Sequence, residues 1–209
     1  LYFTEKERPE TLKHVSGHLQ SDSKNATLPK KLEYVGGNLN LESLISAEGL
    51  ALPETVGGYI NIYSLKEIPA KGLVLPEAVG GGVYLDSLTA TKGLVLPGTV
   101  GGKLNLRSLK EIPAEGLVLP EAIGGRLDLR SLKSAKGLVL PEAIGGRLDL
   151  RSLKEIPAEG LVLPETIGGR LDLRSLTSAE GLVLPETVGG NLNLRSLKEI
   201  PAEGLVLPE

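Results

Sequence analysis

Hydrophobic and polar residues alternate along this chain in short runs that recur at a fixed register. In 147–151, Arg-Leu-Asp-Leu-Arg, two leucines alternate with charged residues. Period-two alternation is typical of a β-strand with one buried face. A second alternation, Leu-Val-Leu at 161–163, follows in the same repeat and is ended by Pro164, which cannot donate to a strand ladder. Each repeat therefore predicts two strands.

Eight glycine pairs mark the repeat, from 36–37 to 189–190, and their spacing alternates between 21 and 23 residues. A fixed period between about 20 and 50 residues is the signature of a solenoid. The four to six residues between the two strands are too few for a crossover helix. The sequence thus predicts an all-β, parallel β-solenoid of about eight alternating coils that stack at about 4.8 Å. The glycine pairs are predicted to turn the chain through positive φ at one edge of two parallel sheets.

A serine ends the first strand of every coil, as Ser152 does after Leu150 and Arg151. This serine lies two residues after an inward leucine, so its side chain is expected to point inward as well. We therefore expect it inside a corner, bonded to the turning backbone. Eight identical copies favour this structural role over catalysis. The serines are Ser43, Ser64, Ser87, Ser108, Ser131, Ser152, Ser175 and Ser196.

Residues 1–34 depart from the repeat and predict an N-terminal cap. Within them, Val15-Ser16-Gly17-His18-Leu19 reads as one degenerate copy of the Val-Gly-Gly-x-Leu corner. Solenoids need atypical end coils that cover exposed strand edges. The predicted division is a cap over 1–34 and a repeat array over 35–209, with stacking of coil ends as one way to associate.

The motif Val/Ile-Gly-Gly-x-Leu-x-Leu-x-Ser-Leu, followed by Gly-Leu-x-Leu-Pro-Glu, resembles leucine-rich β-solenoid repeats of bacterial and phage proteins. It is also similar to the corners of receptor L domains and, more loosely, to leucine-rich repeats. The resemblance covers about residues 35–209. Ser-Leu replaces the asparagine that follows the strand in standard leucine-rich repeats, which favours a straighter coil over a horseshoe. The resemblance implies recognition or scaffolding and supplies no catalytic residues.

Composition excludes several classes of function. With no cysteine and two histidines, His14 and His18, the chain offers few ways to build a soft-metal site or a catalytic relay. A formal net charge of −3 disfavours a globally basic nucleic-acid binder. No run approaches the roughly 18 apolar residues of a membrane-spanning helix. The charged start of the chain at 1–6 shows no signal-peptide pattern. We expect no cofactor and no metal.

Charge concentrates on the outward positions of the first strand in coils four to eight. These positions form three columns that run across the coils. In each coil, the residues of the first, second and third columns lie one, three and five positions after the glycine pair. In these five coils they hold nine basic and three acidic residues, a sum of +6. We call this set the arginine strip: Lys103, Arg107, Arg126, Asp128, Arg130, Arg147, Asp149, Arg151, Arg170, Asp172, Arg174 and Arg195.

Two interpretations of the arginine strip stay open. In the structural one, each aspartate is shared between flanking guanidinium groups, which offsets the repulsion of stacked like charges. In the functional one, the strip binds a repeating anion such as an acidic glycan, a surface polymer or nucleic acid. The candidate ligand-binding residues are Arg126, Arg130, Arg147, Arg151, Arg170 and Arg174.

Tyr59, Tyr63 and Tyr84 occupy neighbouring outward positions in coils two and three, and are half of the six aromatic residues of the chain. Aromatic side chains on a strand surface stabilise cross-strand packing, but they also serve as platforms for sugars or protein partners. These three tyrosines complete the candidate binding residues.

The sequence predicts a non-enzymatic binding or recognition solenoid, with a glycan, a polyanion or a protein as its partner. The alternative is a purely structural spacer or filament segment of a larger protein. The sequence leaves the location open, with an extracellular or cell-surface one as the candidate.

Overall fold

The computed structural model describes residues 11–202 and 204–208, and within them the chain is all-β with no helix. Parallel coils stack into a β-solenoid of about nine turns, which are the eight predicted coils and an N-terminal coil before them. The predicted fold class is confirmed. We number coils one to eight by their glycine pairs.

The first sheet is formed by the residues just before each glycine pair. Each strand has only two residues, of which the second is the valine or isoleucine that enters the core, so the alternation was too short to reveal it. The nine strands, in order across the sheet, are His14–Val15, Tyr34–Val35, Thr55–Val56, Ala78–Val79, Thr99–Val100, Ala122–Ile123, Ala143–Ile144, Thr166–Ile167 and Thr187–Val188.

The second sheet follows the glycine pairs and contains the predicted first strand. Each coil donates here to the next one, as Leu148 N–H does to the Arg170 carbonyl at 3.0 Å. Its nine parallel strands are Leu19–Gln20, Leu39–Asn40, Ile60–Asn61, Val83–Tyr84, Leu104–Asn105, Leu127–Asp128, Leu148–Asp149, Leu171–Asp172 and Leu192–Asn193.

The predicted second strand, Leu-Val-Leu, does not form a continuous sheet. In the described part of the chain, two-stranded ladders join only Leu73–Val74 to Leu94–Val95 and Leu161–Val162 to Leu182–Val183. A single bridge joins Leu117 to Leu138. Each of these contacts joins a coil with the longer loop to the shorter coil that follows it. The alternation of 21 and 23 residues is thus expressed as pairwise ladders on this third face.

The core is a stack of apolar columns between the three faces. Leu148 and Leu150 are fully buried, as the predicted inward parity requires. Prolines from Pro53 to Pro185 that end third-face runs are buried as well, as Pro141 and Pro164 show. Their missing N–H removes a donor that this buried corner would otherwise have to satisfy.

The role predicted for the glycine pairs is wrong. Positive φ occurs instead at the single glycine before each third-face run, from Gly49 to Gly204. The pairs are needed for close approach: a Cβ on Gly145 would meet the Gly124 carbonyl oxygen of the preceding coil well under 3.0 Å. Gly145 N–H also donates to the Ile123 carbonyl at 2.9 Å, so the corner continues the first-sheet ladder.

The single glycines allow the two loop types to turn into the third face. In the shorter coils Gly137 lies at φ 73° inside a turn closed by Leu138 N–H on the Ala135 carbonyl at 3.0 Å. In the longer coils Gly160 closes the turn itself, through its N–H on the Pro157 carbonyl at 2.8 Å. The left-handed backbone at these sites favours glycine.

The serines do not lie enclosed in a corner as expected. Ser152 is half-buried within a turn that the main chain closes, through Leu153 N–H on the Leu150 carbonyl at 3.0 Å. The same bond closes the equivalent turns at Leu44, Leu132 and Leu176.

The N-terminal coil joins both sheets, since Val15 pairs with Val35 and Leu19 with Leu39. Residues 1–10 lie outside the described residues, and with them the start of the predicted cap and the charged segment 1–6. The division at residue 34 stays a prediction.

The assignment of inward and outward positions predicts that two aspartate substitutions differ greatly in their effect on the free energy of unfolding. Leu150→Asp should lower the free energy of unfolding by several kcal/mol, because it buries an unpaired charge among stacked leucines. The matched Val162→Asp, at a position 72% exposed, should cost less than about 1 kcal/mol. Urea denaturation measures both, and equal losses would contradict the assigned parity.

Close stacking predicts that the paired glycines tolerate no side chain. Gly145→Ala should lower the stability by about 2 kcal/mol or more, because its Cβ meets a backbone carbonyl that cannot move away. Gly98→Ala is the control, since its Cβ would lie 3.7 Å from the nearest carbonyl oxygen. The control should be neutral or slightly stabilising. Thermal melts of both variants test this, and a neutral Gly145→Ala would refute it.

Candidate functional site

The arginine strip lies on the outward face of the second sheet. Its first two columns flank the inward leucine of each strand, and the third lies just beyond the strand, where the turn begins. Since residues two apart in a strand point to the same side, Arg147, Asp149 and Arg151 face outward together. Register pairing places Asp128, Asp149 and Asp172 side by side in adjacent coils.

The aspartates of the strip are not exposed, which corrects the expectation for the second column. Asp128, Asp149 and Asp172 have no exposed surface. Their flanking arginines keep about a quarter to a third of the side chain exposed. The arginines therefore cover the carboxylates from above, and the leucine core supports them from below.

Within a coil, the third-column arginine clamps the aspartate two residues before it. Arg151 donates through Nε to Asp149 Oδ1 at 2.8 Å and through Nη2 to Oδ2 at 2.6 Å. Arg130 makes the same two-pronged contact with Asp128 at 2.9 and 2.7 Å. Arg174 repeats it on Asp172. Such paired bonds are the strongest geometry for a guanidinium and a carboxylate.

Between coils, the first-column arginine bridges to the aspartate of the next coil. Arg147 Nη2 lies 3.1 Å from Asp149 in its own coil and 2.6 Å from Asp172 in the following one. Arg126 contacts both Asp128 and Asp149 in the same way. Each bridged aspartate thus neutralises charges from two coils, and the strip ties the coils together.

Three guanidinium groups determine the charge state of Asp172. Burial alone would raise its pKa, but the hydrogen bond from Arg174 and the charges of Arg174, Arg170 and Arg147 outweigh it and lower the pKa to about 2. For Asp149, burial again raises the pKa, and the bond from Arg151 with nearby arginine charges more than offsets it. Both carboxylates stay ionised at neutral pH.

The strip keeps an excess of positive charge after these contacts. Coils five to seven each set two arginines against one aspartate. The third-column arginines use Nε and Nη2 on the aspartates, and within the described residues their Nη1 groups have no acceptor. A guanidinium has five N–H donors, so Arg130, Arg151 and Arg174 retain donors for an outside anion.

The three tyrosines lie together, but their ring faces are partly occupied. Tyr59 and Tyr84 make an edge-to-face contact with ring centroids 5.8 Å apart. Lys103 Nζ lies 5.7 Å from the Tyr84 centroid, and the Arg107 guanidinium lies 5.3 Å from that of Tyr63. These cation–π contacts join the tyrosines to the arginine strip on one continuous face, a connection that the sequence analysis missed.

Asp86 anchors the boundary between the tyrosines and the strip. Arg107 Nε lies 3.2 Å from Asp86 Oδ1, and Arg107 Nη2 donates to the Tyr63 hydroxyl at 2.7 Å. The Tyr84 ring packs over Gly82, where a Cβ would lie 3.1 Å from the ring. The absent side chain in coil three makes room for this ring.

The two histidines have neighbours of their own. His18 Nδ1 accepts a hydrogen bond from Asn38 N–H at 2.8 Å, and His14 Nε2 lies 3.6 Å from Glu33. Across 11–202 and 204–208, no three histidine, cysteine or acidic side chains gather as a metal site would require. The same ranges contain no helix long and apolar enough for a bilayer.

Comparisons with protein-family models, curated proteins and solved structures gave no match to the chain. The likeness to leucine-rich bacterial and phage repeats therefore depends on the motif. The leucine-rich repetitive β-solenoid itself is plain in the structure.

Ionisation of Asp172 predicts a loss of stability in acid. Because its folded pKa is below the ordinary value of 3.8, its contribution is present above about pH 4 and is lost as pH falls toward 2. The shift corresponds to about 2 kcal/mol. Asp172→Asn should therefore flatten the fall in unfolding free energy between pH 5 and pH 2 by about that amount.

Urea denaturation at several pH values measures this effect. Glu165→Gln, which removes an exposed carboxyl, is the control and should leave the wild-type pH profile unchanged. An Asp172→Asn profile as steep as that of the wild type would contradict the assignment.

Proposed function

We propose that the chain is a non-enzymatic binding solenoid, and that the arginine strip recognises a repeating anionic polymer such as an acidic glycan. The observation that carries the proposal is the excess of guanidinium groups over carboxylates in consecutive coils. Among the described residues, the Nη1 donors of Arg130, Arg151 and Arg174 have no acceptor. The bacterial or phage-like character of the motif agrees with a role in surface recognition.

The spacing of the strip supports a polymeric ligand. Equivalent arginines recur once per coil, at the strand separation of about 4.8 Å. A single exposed ionic contact contributes little. A flexible polyanion that engages several coils at once gains affinity by multivalency. The buried aspartates also hold the arginines in fixed geometry, which reduces the entropy lost on binding.

The tyrosines extend this surface at its N-terminal end. Tyr63 is 39% exposed and bonded to Arg107, so it lies beside a cation of the strip. An aromatic ring beside a guanidinium offers a sugar both an apolar platform and a donor. Tyr59, Tyr63 and Tyr84 would therefore contact sugar rings while the arginines contact their acidic groups.

A structural spacer is the second candidate, and the bridges between coils favour it. Arg126 contacts Asp149 and Arg147 contacts Asp172, so ion pairs of the strip join neighbouring coils. Such contacts would stiffen a solenoid that acts as a spacer. A spacer needs no ligand for these charges, and it would bind no polyanion. The two functions therefore differ in one measurable property.

Retention on a heparin column separates the two functions. The wild type should be retained at low salt and elute as salt rises, because counterion release drives binding. Arg130→Gln, Arg151→Gln and Arg174→Gln together should elute at clearly lower salt. The matched control replaces Lys110, Lys133 and Lys154, which are exposed outside the strip, by glutamine. It removes the same charge and should elute close to the wild type.

A lysine variant is the control for misfolding, because the three arginines also neutralise buried aspartates and their loss could destabilise the fold. Arg130→Lys, Arg151→Lys and Arg174→Lys together keep the charge beside each carboxylate and should keep most of the retention. Thermal melts verify that each variant is folded. Flow-through of the wild type, or equal retention of the folded glutamine variant and the wild type, would refute the proposal and favour the spacer.

A further inference from the structure

The third face carries an exposed row of valines that the proposed anion site does not use. Each is the middle residue of a Leu-Val-Leu run, and the flanking leucines point inward, as Leu117 and Leu119 do at 5% and 9% exposure. Between half and nine-tenths of each valine is exposed. The valine row is Val74, Val95, Val118, Val139, Val162, Val183 and Val206.

Grooves between neighbouring coils accompany the valine row. Four of these grooves have volumes of about 310 to 740 Å³. One groove is lined by Leu138, Val139 and Leu140 from coil five and by Val162 and Leu163 from coil six. These apolar recesses have room for side chains of a partner.

The borders of the grooves are acidic. Glutamates that follow the Leu-Pro end of the runs line all four grooves, and Glu115 lines one of them from the other end of the Val118 run. In the four grooves, every charged lining residue is a glutamate. These residues are Glu54, Glu77, Glu115, Glu121, Glu142, Glu165 and Glu186.

We propose that the valine row is a docking site for an amphipathic α-helix whose apolar face is bordered by lysine or arginine. Acidic borders complement a basic helix and repel a second copy of this face, which would bring glutamates against glutamates. Anionic lipid is disfavoured for the same reason. The row therefore selects a cationic amphipathic polypeptide.

The length of the row fits such a helix. Seven valines at about 4.8 Å per coil span about 29 Å, which matches a helix of about 19 residues. The helical pitch of about 5.4 Å is close to the coil spacing, so side chains at i, i+3, i+4 and i+7 can contact successive valines of the row.

A designed peptide tests the proposal. The probe is a fluorescently labelled helix of about 19 residues, with leucines on one face and lysines elsewhere, titrated by anisotropy. A second peptide has glutamate in place of every lysine. The lysine peptide should bind the wild-type chain with measurable affinity and the glutamate peptide should not.

Matched substitutions locate the binding site. Val118→Ser, Val139→Ser and Val162→Ser together should weaken the lysine peptide by about tenfold or more, because they remove the apolar contacts. Ala122→Ser, Ala143→Ser and Thr166→Ser are the control, since they alter exposed positions of the first sheet in the same coils. This control should bind like the wild type.

Three results would overturn the proposal. The first is no binding of the lysine peptide, and the second is equal binding by the valine-row variant, which would mean attraction to acidic surface in general. The third is that the wild type sediments as a dimer and the valine-row variant as a monomer. That result would make a second copy of the chain the occupant of the row. All three are independent of retention on heparin.

Discussion

The close parallel stacking of equivalent coils is the constraint on which the rest of this structure depends. Backbone ladders hold neighbouring strands at about 4.8 Å, so each position in a coil lies directly against its equivalent in the next one. At the glycine corner this leaves no room for a Cβ, and Gly124 and Gly145 meet main chain to main chain. In the core, the same stacking turns single leucines into continuous buried columns.

Stacking also forces like charges together, and the outward face of the second sheet resolves this conflict. A column of arginines alone would be repulsive. The aspartate column between two arginine columns removes much of the repulsion, since Asp149 contacts Arg147, Arg151 and Arg126. What remains is a surface with a regular positive excess, and the proposed anion binding depends on this excess. The third face has the opposite character, apolar with glutamate borders.

The sequence predicted the features that depend on periodicity. The all-β solenoid and the inward parity of Leu148 and Leu150 followed from spacing and alternation. The strand before the glycines was missed because two residues such as Ala143–Ile144 carry no alternation. The glycine pairs were misread because a sequence shows that a glycine is needed but cannot distinguish positive φ from close approach.

The candidate site was predictable in its membership but not in its burial. The Arg-x-Asp-x-Arg spacing placed all three side chains on one face, yet full coverage of Asp149 depends on Arg126 from the preceding coil. The contact of Arg107 with Tyr63 spans two coils and leaves no local sequence signal. The Leu-Val-Leu alternation placed the middle valine opposite its two leucines, but the grooves that accompany the valine row are visible only in the structure.

The salt dependence of affinity for a heparin fragment tests the central claim most directly, because it counts the counterions that the polyanion releases on binding. Titration calorimetry at several salt concentrations should give a linear fall of log K with log salt for the wild type. Arg130→Gln, Arg151→Gln and Arg174→Gln together should make that slope shallower by about two to three. Identical slopes in the folded variant and the wild type, or no binding by either, would contradict a binding role for the arginine strip.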